Sequence, residues 1–527
     1  MPTVKWGRAA VAVLMGAGVG AVAGSQQTTP PAAVTIVESV TGNWTLGDFE
    51  LDTTATIGAA GGDVTVADGA LAGLRLEVPA AAVAVETTVV VEHAAITSHT
   101  WGSAVHPVTP AIRVTVGDGA HTSAAMTVTV PLDLSDGQVA LGLFVQEDGA
   151  LEGMPLASGD STRLTLATQH FSEWFVSAFD PSSLPDQIMT GFTPGRDNWQ
   201  FTNYGSWLRP GGICAGMSVS SMWYYDEIFQ ELDGVAPPLY NWFDYPHGTV
   251  TKSFTDDDAH AIRFASMVQA DGHWGSGLVN NAYASQSTAW DFYRDARDAA
   301  SATWQYQAFR YSMFLSGQPQ LMLLSKEPRQ GGHAVVAYGV TDGSISIGRT
   351  TGPGGYVWIS DPNKPTSGQV VAFDAAANAF VPYQGALQAG GKVEGYRFVG
   401  YAAKSGLFDW DQVGVRYHQA VDGSIGQLDF PQLMVVQMIT DPVTGATQQL
   451  PTMSPTVDAT GSVTLNFSVN PAEIGMATWV EVYDEGGTTP ISWATSIPTG
   501  VNNGAFTARS NATFSPGVGG GTYKLVV

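Results

Sequence analysis

The chain has 527 residues, of which 44% are hydrophobic and 10% aromatic, a length that suggests about three domains and a composition that fills cores, which argues against a disordered protein. Twenty-two Lys and Arg stand against 47 Asp and Glu, a formal charge of −25 at pH 7. Such a surface repels polyanions and argues against nucleic acid or an anionic membrane as partner.

Lys5 and Arg8 precede an apolar run from Ala9 to Ala23, which ends on Ala21-Val22-Ala23 before the polar Gly24-Ser-Gln-Gln-Thr-Thr-Pro-Pro. This is the three-part layout of a secretory signal peptide over 1–23, cleaved after Ala23, so the mature chain is expected to be secreted or held at a cell surface. A retained anchor fits less well, because the run is short and glycine-rich, and no cysteine stands at the cleavage site for lipid attachment. No other segment approaches the about 20 apolar residues that a bilayer demands, so no membrane span is expected in the mature chain. Residues 24–39, rich in Thr, Pro and Ala, read as a linker.

From 40 to 180 short β-branched runs alternate with turns containing Gly and Asp: Val64-Thr-Val66, Leu74-Arg-Leu-Glu-Val78, Thr87-Thr-Val-Val-Val-Glu92, Ile112-Arg-Val-Thr-Val116, Met126-Thr-Val-Thr-Val130, Leu141-Gly-Leu-Phe-Val145 and Leu164-Thr-Leu166. The spacing predicts an all-β sandwich. Ile57-Gly-Ala-Ala-Gly-Gly62, Leu74-Arg-Leu-Glu-Val-Pro79 and Gln169-His-Phe-Ser-Glu-Trp174 together resemble the ZU-type sandwich known from netrin receptors and ankyrins. That resemblance implies structural roles for Gly61, Gly62 and Pro79 and carries no chemistry. His93, His99, His106, His121 and His170 form no compact metal-ligand motif and read as surface or rim residues.

Pro181-Ser-Ser-Leu-Pro185 leads into a region spanning 185–430, which holds the only cysteine of the chain, Cys214. Pro210-Gly211-Gly212 breaks regular structure, while Ala215 to Phe229 has no Gly or Pro after Gly216; this predicts a helix with Cys214 at its N-terminus. There the unpaired N–H groups and the positive end of the helix dipole favour a thiolate. Taken alone, Cys214 fits core filling equally well. An exported chain with one cysteine has no internal disulfide, however, so the thiol persists for a use or is tied to a partner.

After the Cys214 segment, Asp256-Asp257-Asp258 reads as the N-cap of a helix carrying Ile262, Phe264 and Met267 rather than as a Ca²⁺ site, because the cation wants oxygens spaced around a loop. Gln286 to Phe314 reads as a helix that packs through Trp290, Tyr293, Arg297, Trp304 and Phe309. Gly317-Gln-Pro-Gln-Leu-Met-Leu-Leu324 and Gly331-Gly-His-Ala-Val-Val-Ala-Tyr-Gly-Val340 read as strands, with His333 opening the second. Gly355-Tyr-Val-Trp-Ile-Ser360 reads as a third, which stops at Asp361-Pro362-Asn363. A thiolate needs an imidazole to take its proton, and the imidazole needs an acceptor to fix its tautomer; Cys214, His333 and Asp361 supply these. Asp361 is preferred to Asn363 because it ends the strand, whereas Asn363 lies past the proline, where an amide commonly caps a turn. His247, His260, His273 and His418 lack strand context, which leaves His333 as the base.

Gly211-Gly-Ile-Cys-Ala-Gly-Met217, Gly317-Gln-Pro319 before a strand, Gly332-His-Ala-Val335 and a strand closing on Asp361-Pro362 resemble, in this order, the papain-like cysteine peptidases. Within them the pattern is similar to the branch of the bacterial double-glycine leader peptidases. The resemblance implies an α+β fold over about 185–430, with Cys214 as nucleophile, His333 as base and Asp361 as its orienting partner. It departs at Leu208, where the papain pattern has a Gln that donates to the oxyanion. The backbone N–H of Cys214 would remain, and the side-chain donor is expected from Gln200 or Asn203, with Asn203 favoured. Turn capping by both amides is the alternative.

Beyond 430, Leu433-Met-Val-Val436, Val463-Thr-Leu-Asn-Phe-Ser-Val469, Trp479-Val-Glu-Val-Tyr483 and Thr522-Tyr-Lys-Leu-Val-Val527 predict an immunoglobulin-like β-sandwich over 431–527. The expected whole is a multidomain chain, a papain-like α+β domain flanked by two all-β sandwich domains. Its expected activity is that of a secreted thiol hydrolase, a peptidase acting on protein or peptide and needing no metal or organic cofactor. The sandwiches would engage a cell-surface protein or glycan. A transglutaminase or peptidoglycan amidase would use the same three residues with another acceptor, and a non-catalytic surface-binding protein would keep the fold without the chemistry.

Overall fold

The computed structural model describes residues 36–119, 121–201, 203, 212–230, 236–242, 259–272, 302–327, 330–347, 350–387, 393–422, 425, 434–440, 447–451, 463–468, 478–484, 490–496, 509–514 and 523–526, the last seven as backbone only. These residues are mostly β-sheet, with few helices and several separate sheets.

Two antiparallel sheets occupy the chain from Glu50 to Phe179. One runs in the order Leu151–Gly153, Val139–Val145, Trp174–Phe179, Ala111–Val116, Thr87–Ala94, Glu50–Ile57, with His106–Pro107 also on Trp174–Phe179. The other runs Leu156–Asp160, Arg163–Thr168, Met126–Pro131, Arg75–Val78, Gly62–Thr65. Strand alternation builds the layer between them: Met126, Val128 and Val130 are buried, while Thr129 stands on the other face and meets Thr165 across the ladder at 3.0 Å.

Trp174–Phe179 departs from alternation, since all six of its residues are buried. Its second face is covered by the helix Ala302–Ser316. Tyr311 of that helix stacks on Phe179 with ring centroids 3.9 Å apart, and its hydroxyl lies 2.8 Å from both Ser177 Oγ and Ala104 O.

On the far side of this helix lies a second seven-stranded sheet. Its order is Ala379–Phe380, Gly368–Asp374, Thr350–Ser360, Gln330–Ile347, Gln320–Glu327, Phe398–Tyr401, with Gln187–Met189 also on Gln330–Ile347. The two faces of this sheet feed different cores. Met322, Leu324, Val335, Ala337, Val357 and Ile359 join Phe309 of the helix and, through it, the first two sheets. Leu321, Leu323, Ala334, Val336 and Trp358 join Met217 and Val219 of the helix Cys214–Trp223, with Phe264 from Ala259–Asp271 and Tyr417 from Trp410–Val421. A run as apolar as Leu321-Met-Leu-Leu324 is therefore a strand buried on both sides.

Several elements differ from the sequence pattern. The strand expected from Gly317 begins at Gln320, because Gly317 still belongs to the helix end, its N–H donating to Met313 O at 2.9 Å. The strand holding His333 runs from Gln330 to Ile347, so His333 is not its first residue, and polar Asp342 and Ser344 hide its length. Gly368–Asp374 is a full strand that was not foreseen. The helix expected to run to Phe229 is α-helical only to Trp223 and continues as a π-helix, Tyr224–Gln230.

The end of the expected 24–39 linker is fastened: Val37 N–H donates to Met189 O at 2.9 Å, and just beyond it Val40 N–H donates to Leu315 O at 2.6 Å. Of the helix expected over 286–314, residues 302–314 are described and helical. The expected signal peptide over 1–23, Asp256-Asp257-Asp258 and Leu208 lie outside the described residues. Near the C-terminus two small sheets form, Thr447–Pro451, Met434–Thr440, Val463–Ser468, Arg509–Phe514 and Pro490–Ser496, Thr478–Asp484, Tyr523–Val526. Among the described residues no helix is long and apolar enough to cross a membrane.

Buried charge crosses the junction between the first two sheets and the rest. Lys404 Nζ lies 2.6 Å from Asp226 Oδ2 and 4.0 Å from Glu152 Oε2, and Glu152 also accepts from Ser405 N and Oγ at 2.8 and 2.6 Å. Burial pushes the Asp226 carboxyl up, and Lys404 opposes that. Lys404→Met removes the opposition, so it should cost about 3–5 kcal/mol, the usual loss on breaking a buried pair. A carboxyl whose folded pKa is raised supports the fold at low pH and opposes it as pH rises. Thermal unfolding should therefore show a larger loss at pH 8 than at pH 5; an equal loss at both would contradict this account.

Candidate active site

Cys214 is the first residue of its helix, which puts its thiol at the positive end of the helix dipole. The approach to it is tightly packed. Gly212 holds φ 123°, a conformation left to glycine, and a Cβ there would press on the Asn203 amide at 3.1 Å. A Cβ at Gly216 would overlap Ala265 O, so the helix Ala259–Asp271 crosses at this point only because the residue is glycine. Gln269 of that helix accepts from Gly216 N–H and donates to Gly212 O, both at 3.0 Å, and so clamps the chain on either side of Cys214.

His333 lies opposite Leu324 in the ladder. Asp361 is the residue after the last of Thr350–Ser360, the strand that pairs with the one carrying His333. His333 Nε2 donates to Asp361 Oδ1 at 2.6 Å, with side-chain exposures of 2% and 0%. The other ring nitrogen, Nδ1, is thereby left for the Cys214 thiol, to which the imidazole is coupled electrostatically. Ala334 N–H, next along the strand, points at Cys214 Sγ at 3.4 Å.

A hairpin formed by Tyr383–Leu387 and Val393–Tyr396 closes over these groups. Tyr383 Oη donates to Asp361 Oδ2 at 2.6 Å. Tyr396, its partner across the ladder, stacks on the His333 ring with centroids 5.6 Å apart and planes 26° apart.

Burial by itself raises the thiol and lowers the imidazole, yet both shifts run the other way. The Cys214 thiol is pushed up by burial and pulled below its ordinary value by the hydrogen bond and charge of His333 and by the N–H groups of Ala334 and Ala215. The His333 imidazole is pushed down by burial and lifted more strongly by Asp361 and Cys214, to about 10. Asp361 is held down, despite burial, by His333, Tyr383 and the Asn363 N–H. The electrostatics thus favour a thiolate facing an imidazolium.

Asn203 is brought to the site, and both ends of its amide are engaged. Oδ1 accepts from Ile213 N–H at 2.5 Å and Nδ2 donates to Asn363 Oδ1 at 3.2 Å, which ties the loop before Cys214 to the turn after Asp361. One Nδ2 hydrogen is left over from this tie. Gln200 is buried with its amide on Asn198 O at 3.4 Å, a local contact within its own loop.

The Asn363 N–H donates to Asp361 Oδ1 at 2.8 Å, so the Asp361 carboxylate caps this turn and the Asn363 amide, expected to cap it, is turned toward Asn203 and His333. Its Nδ2 lies 3.4 Å from His333 Nε2, a nitrogen whose proton already goes to Asp361, so this is a packing contact rather than a second orienting bond. Tyr383, Tyr396 and Gln269 were missed from sequence, since each reaches the site from an element with no local motif.

Elsewhere, His93 Nδ1 pairs with Asp52 at 2.9 Å, His99 stacks on Trp101, and the His121 and His170 rings lie 4.7 Å apart. No protein-family model matches this chain, and no curated protein matches it.

The rate of Cys214 alkylation by iodoacetamide tests this electrostatic arrangement, because the rate follows the thiolate fraction. A lowered thiol keeps its thiolate as pH falls, so alkylation should stay fast at about pH 7, where an ordinary thiol is only a few per cent ionised. In His333→Ala the burial penalty stands unopposed, so the rate at about pH 7 should drop at least tenfold and recover only as pH rises past the ordinary thiol value. Equal profiles for the two proteins, read by intact mass, would refute the coupling.

Proposed function

We propose that this protein is a secreted thiol hydrolase, a peptidase of papain-like fold over 185–430, flanked by sandwich domains over 40–180 and 431–527. The observation that carries the reading is the 2.6 Å contact from His333 Nε2 to Asp361, which leaves Nδ1 to serve a thiol at a helix start whose Sγ receives the N–H of the next residue, Ala334. In this mechanism Cys214 Sγ attacks the carbonyl carbon of a peptide bond, and the oxyanion is received by the backbone N–H of Cys214 and the remaining Nδ2 hydrogen of Asn203. His333 Nδ1–H gives its proton to the leaving amine as the C–N bond breaks. Water then attacks the thioester, His333 takes its proton, and the acid leaves from a restored thiolate–imidazolium pair. Asp361 stays ionised throughout, fixing the tautomer and stabilising the imidazolium.

The test is a mixture of peptides of defined sequence, incubated with the mature chain and read by mass spectrometry, with and without an added primary amine. Hydrolysis predicts new C-terminal carboxylates in both arms; amide products confined to the amine arm would reassign the protein to acyl transfer. Cys214→Ala should abolish product while its circular dichroism stays that of the parent, since the thiol contributes little packing. Asp361→Ala should lower turnover by about a hundredfold or more, and Asp361→Asn should retain part of it, because an amide oxygen still accepts from the imidazole. A Cys214→Ala protein that still cleaves, or a parent that cleaves nothing despite fast alkylation, would overturn the peptidase reading.

A further inference from the structure

The Asp361 carboxylate has no exposed surface, and its two oxygens have different partners. Oδ1 accepts from His333 Nε2 at 2.6 Å and from Asn363 N–H at 2.8 Å; Oδ2 accepts from the Tyr383 hydroxyl at 2.6 Å, its donor among the described residues. A buried carboxylate oxygen left without a donor carries its full desolvation cost, which it relieves by turning about its side-chain bond or by taking a proton. Either response weakens the bond to the imidazole. Tyr383 is itself buried, and burial together with Asp361 holds its phenol well above the ordinary range, so it stays a donor at every working pH.

We propose that Tyr383 is a positioning residue of the thiol hydrolase: acting through Asp361, its hydroxyl holds the carboxylate with Oδ1 toward His333 and so keeps the imidazole aimed at Cys214. The proposal rests on the thiol-hydrolase reading and adds to it a residue that touches neither thiol nor imidazole by hydrogen bond. A tyrosine that only filled space beneath the hairpin would contribute stability and leave the ionisation of Cys214 alone.

The experiment measures iodoacetamide alkylation of the full chain across pH, with folding checked by thermal unfolding, in the parent, Tyr383→Phe, Asp361→Asn, the double variant and Tyr306→Phe. Tyr306 is the comparison for loss of a buried phenol: its hydroxyl meets Asp342 Oδ1 at 3.1 Å beside Gly355, midway along the strand that leads to Asp361. Tyr383→Phe should slow alkylation at about pH 7 by roughly ten- to a hundredfold, the worth of one charge-assisted hydrogen bond, and shift the profile toward that of an ordinary thiol. Tyr306→Phe should lose stability with its profile unmoved. Adding Tyr383→Phe to Asp361→Asn should change the profile no further, since no carboxylate remains to be held.

A Tyr383→Phe profile that overlays the parent, or an equal further slowing in the Asp361→Asn background, overturns the proposal. If Tyr383→Phe alone does not fold, the Asp361→Asn pair decides by the same two outcomes. A parent thiol that alkylates no faster than free cysteine would instead bring down the thiolate reading on which the proposal stands.

Discussion

A carboxylate with no contact to water is tolerated only when donors meet its oxygens, and Asp361 is the point at which this chain satisfies that condition. Its three donors come from three places: a strand of the central sheet, the turn after Pro362, and the hairpin over the site. Each bond that stabilises the buried charge also fixes something else. The imidazole is held to one tautomer, the Asn363 turn is closed, and the hairpin is fastened by Tyr383. Through Asn363 and Asn203 the same network reaches Ile213, the residue before the thiol.

The part of the sheet that carries His333 and leads to Asp361 is held by packing on both faces. One side packs on the Cys214 helix and its neighbours, the other on the helix Ala302–Ser316 and the sheets beyond it. A displacement of either core would move the imidazole against the thiol by fractions of an ångström, which close packing resists. This gives the first two sheets a mechanical part in the site although none of their residues touches the proposed triad. Charged groups at that junction, Glu152, Asp226 and Lys404, add direction to an otherwise apolar contact.

Much of this was legible in the chain. The β-branched alternation between 40 and 180 announced strands, because strand sides repeat every two residues and one side must be apolar. The unbroken apolar runs at 321–324 and 334–337 announced strands, and the structure showed them covered on both faces. Gly212 before Cys214 announced a backbone that passes close to its neighbours. The lone cysteine, one histidine at an apolar strand and one aspartate at a strand end were enough to name Cys214, His333 and Asp361 together as candidates, since these residue types and their order are visible.

What local sequence could not contain is which distant side chains complete the network. Tyr383 and Tyr396 are ordinary hairpin tyrosines until the hairpin folds over His333, and Gln269 is an ordinary helix residue until that helix crosses at Gly216. The length of the Gln330–Ile347 strand was hidden by its polar half, and the partnership of Asn203 with Asn363 spans a separation no motif encodes. The sequence by itself determined the residue types, the strand periodicity and the order of the chemical groups, because these depend on neighbours along the chain. Only the tertiary structure decided the burial of Asp361, the donors that burial demands and the direction in which His333 faces, because desolvation and hydrogen bonding depend on neighbours in space.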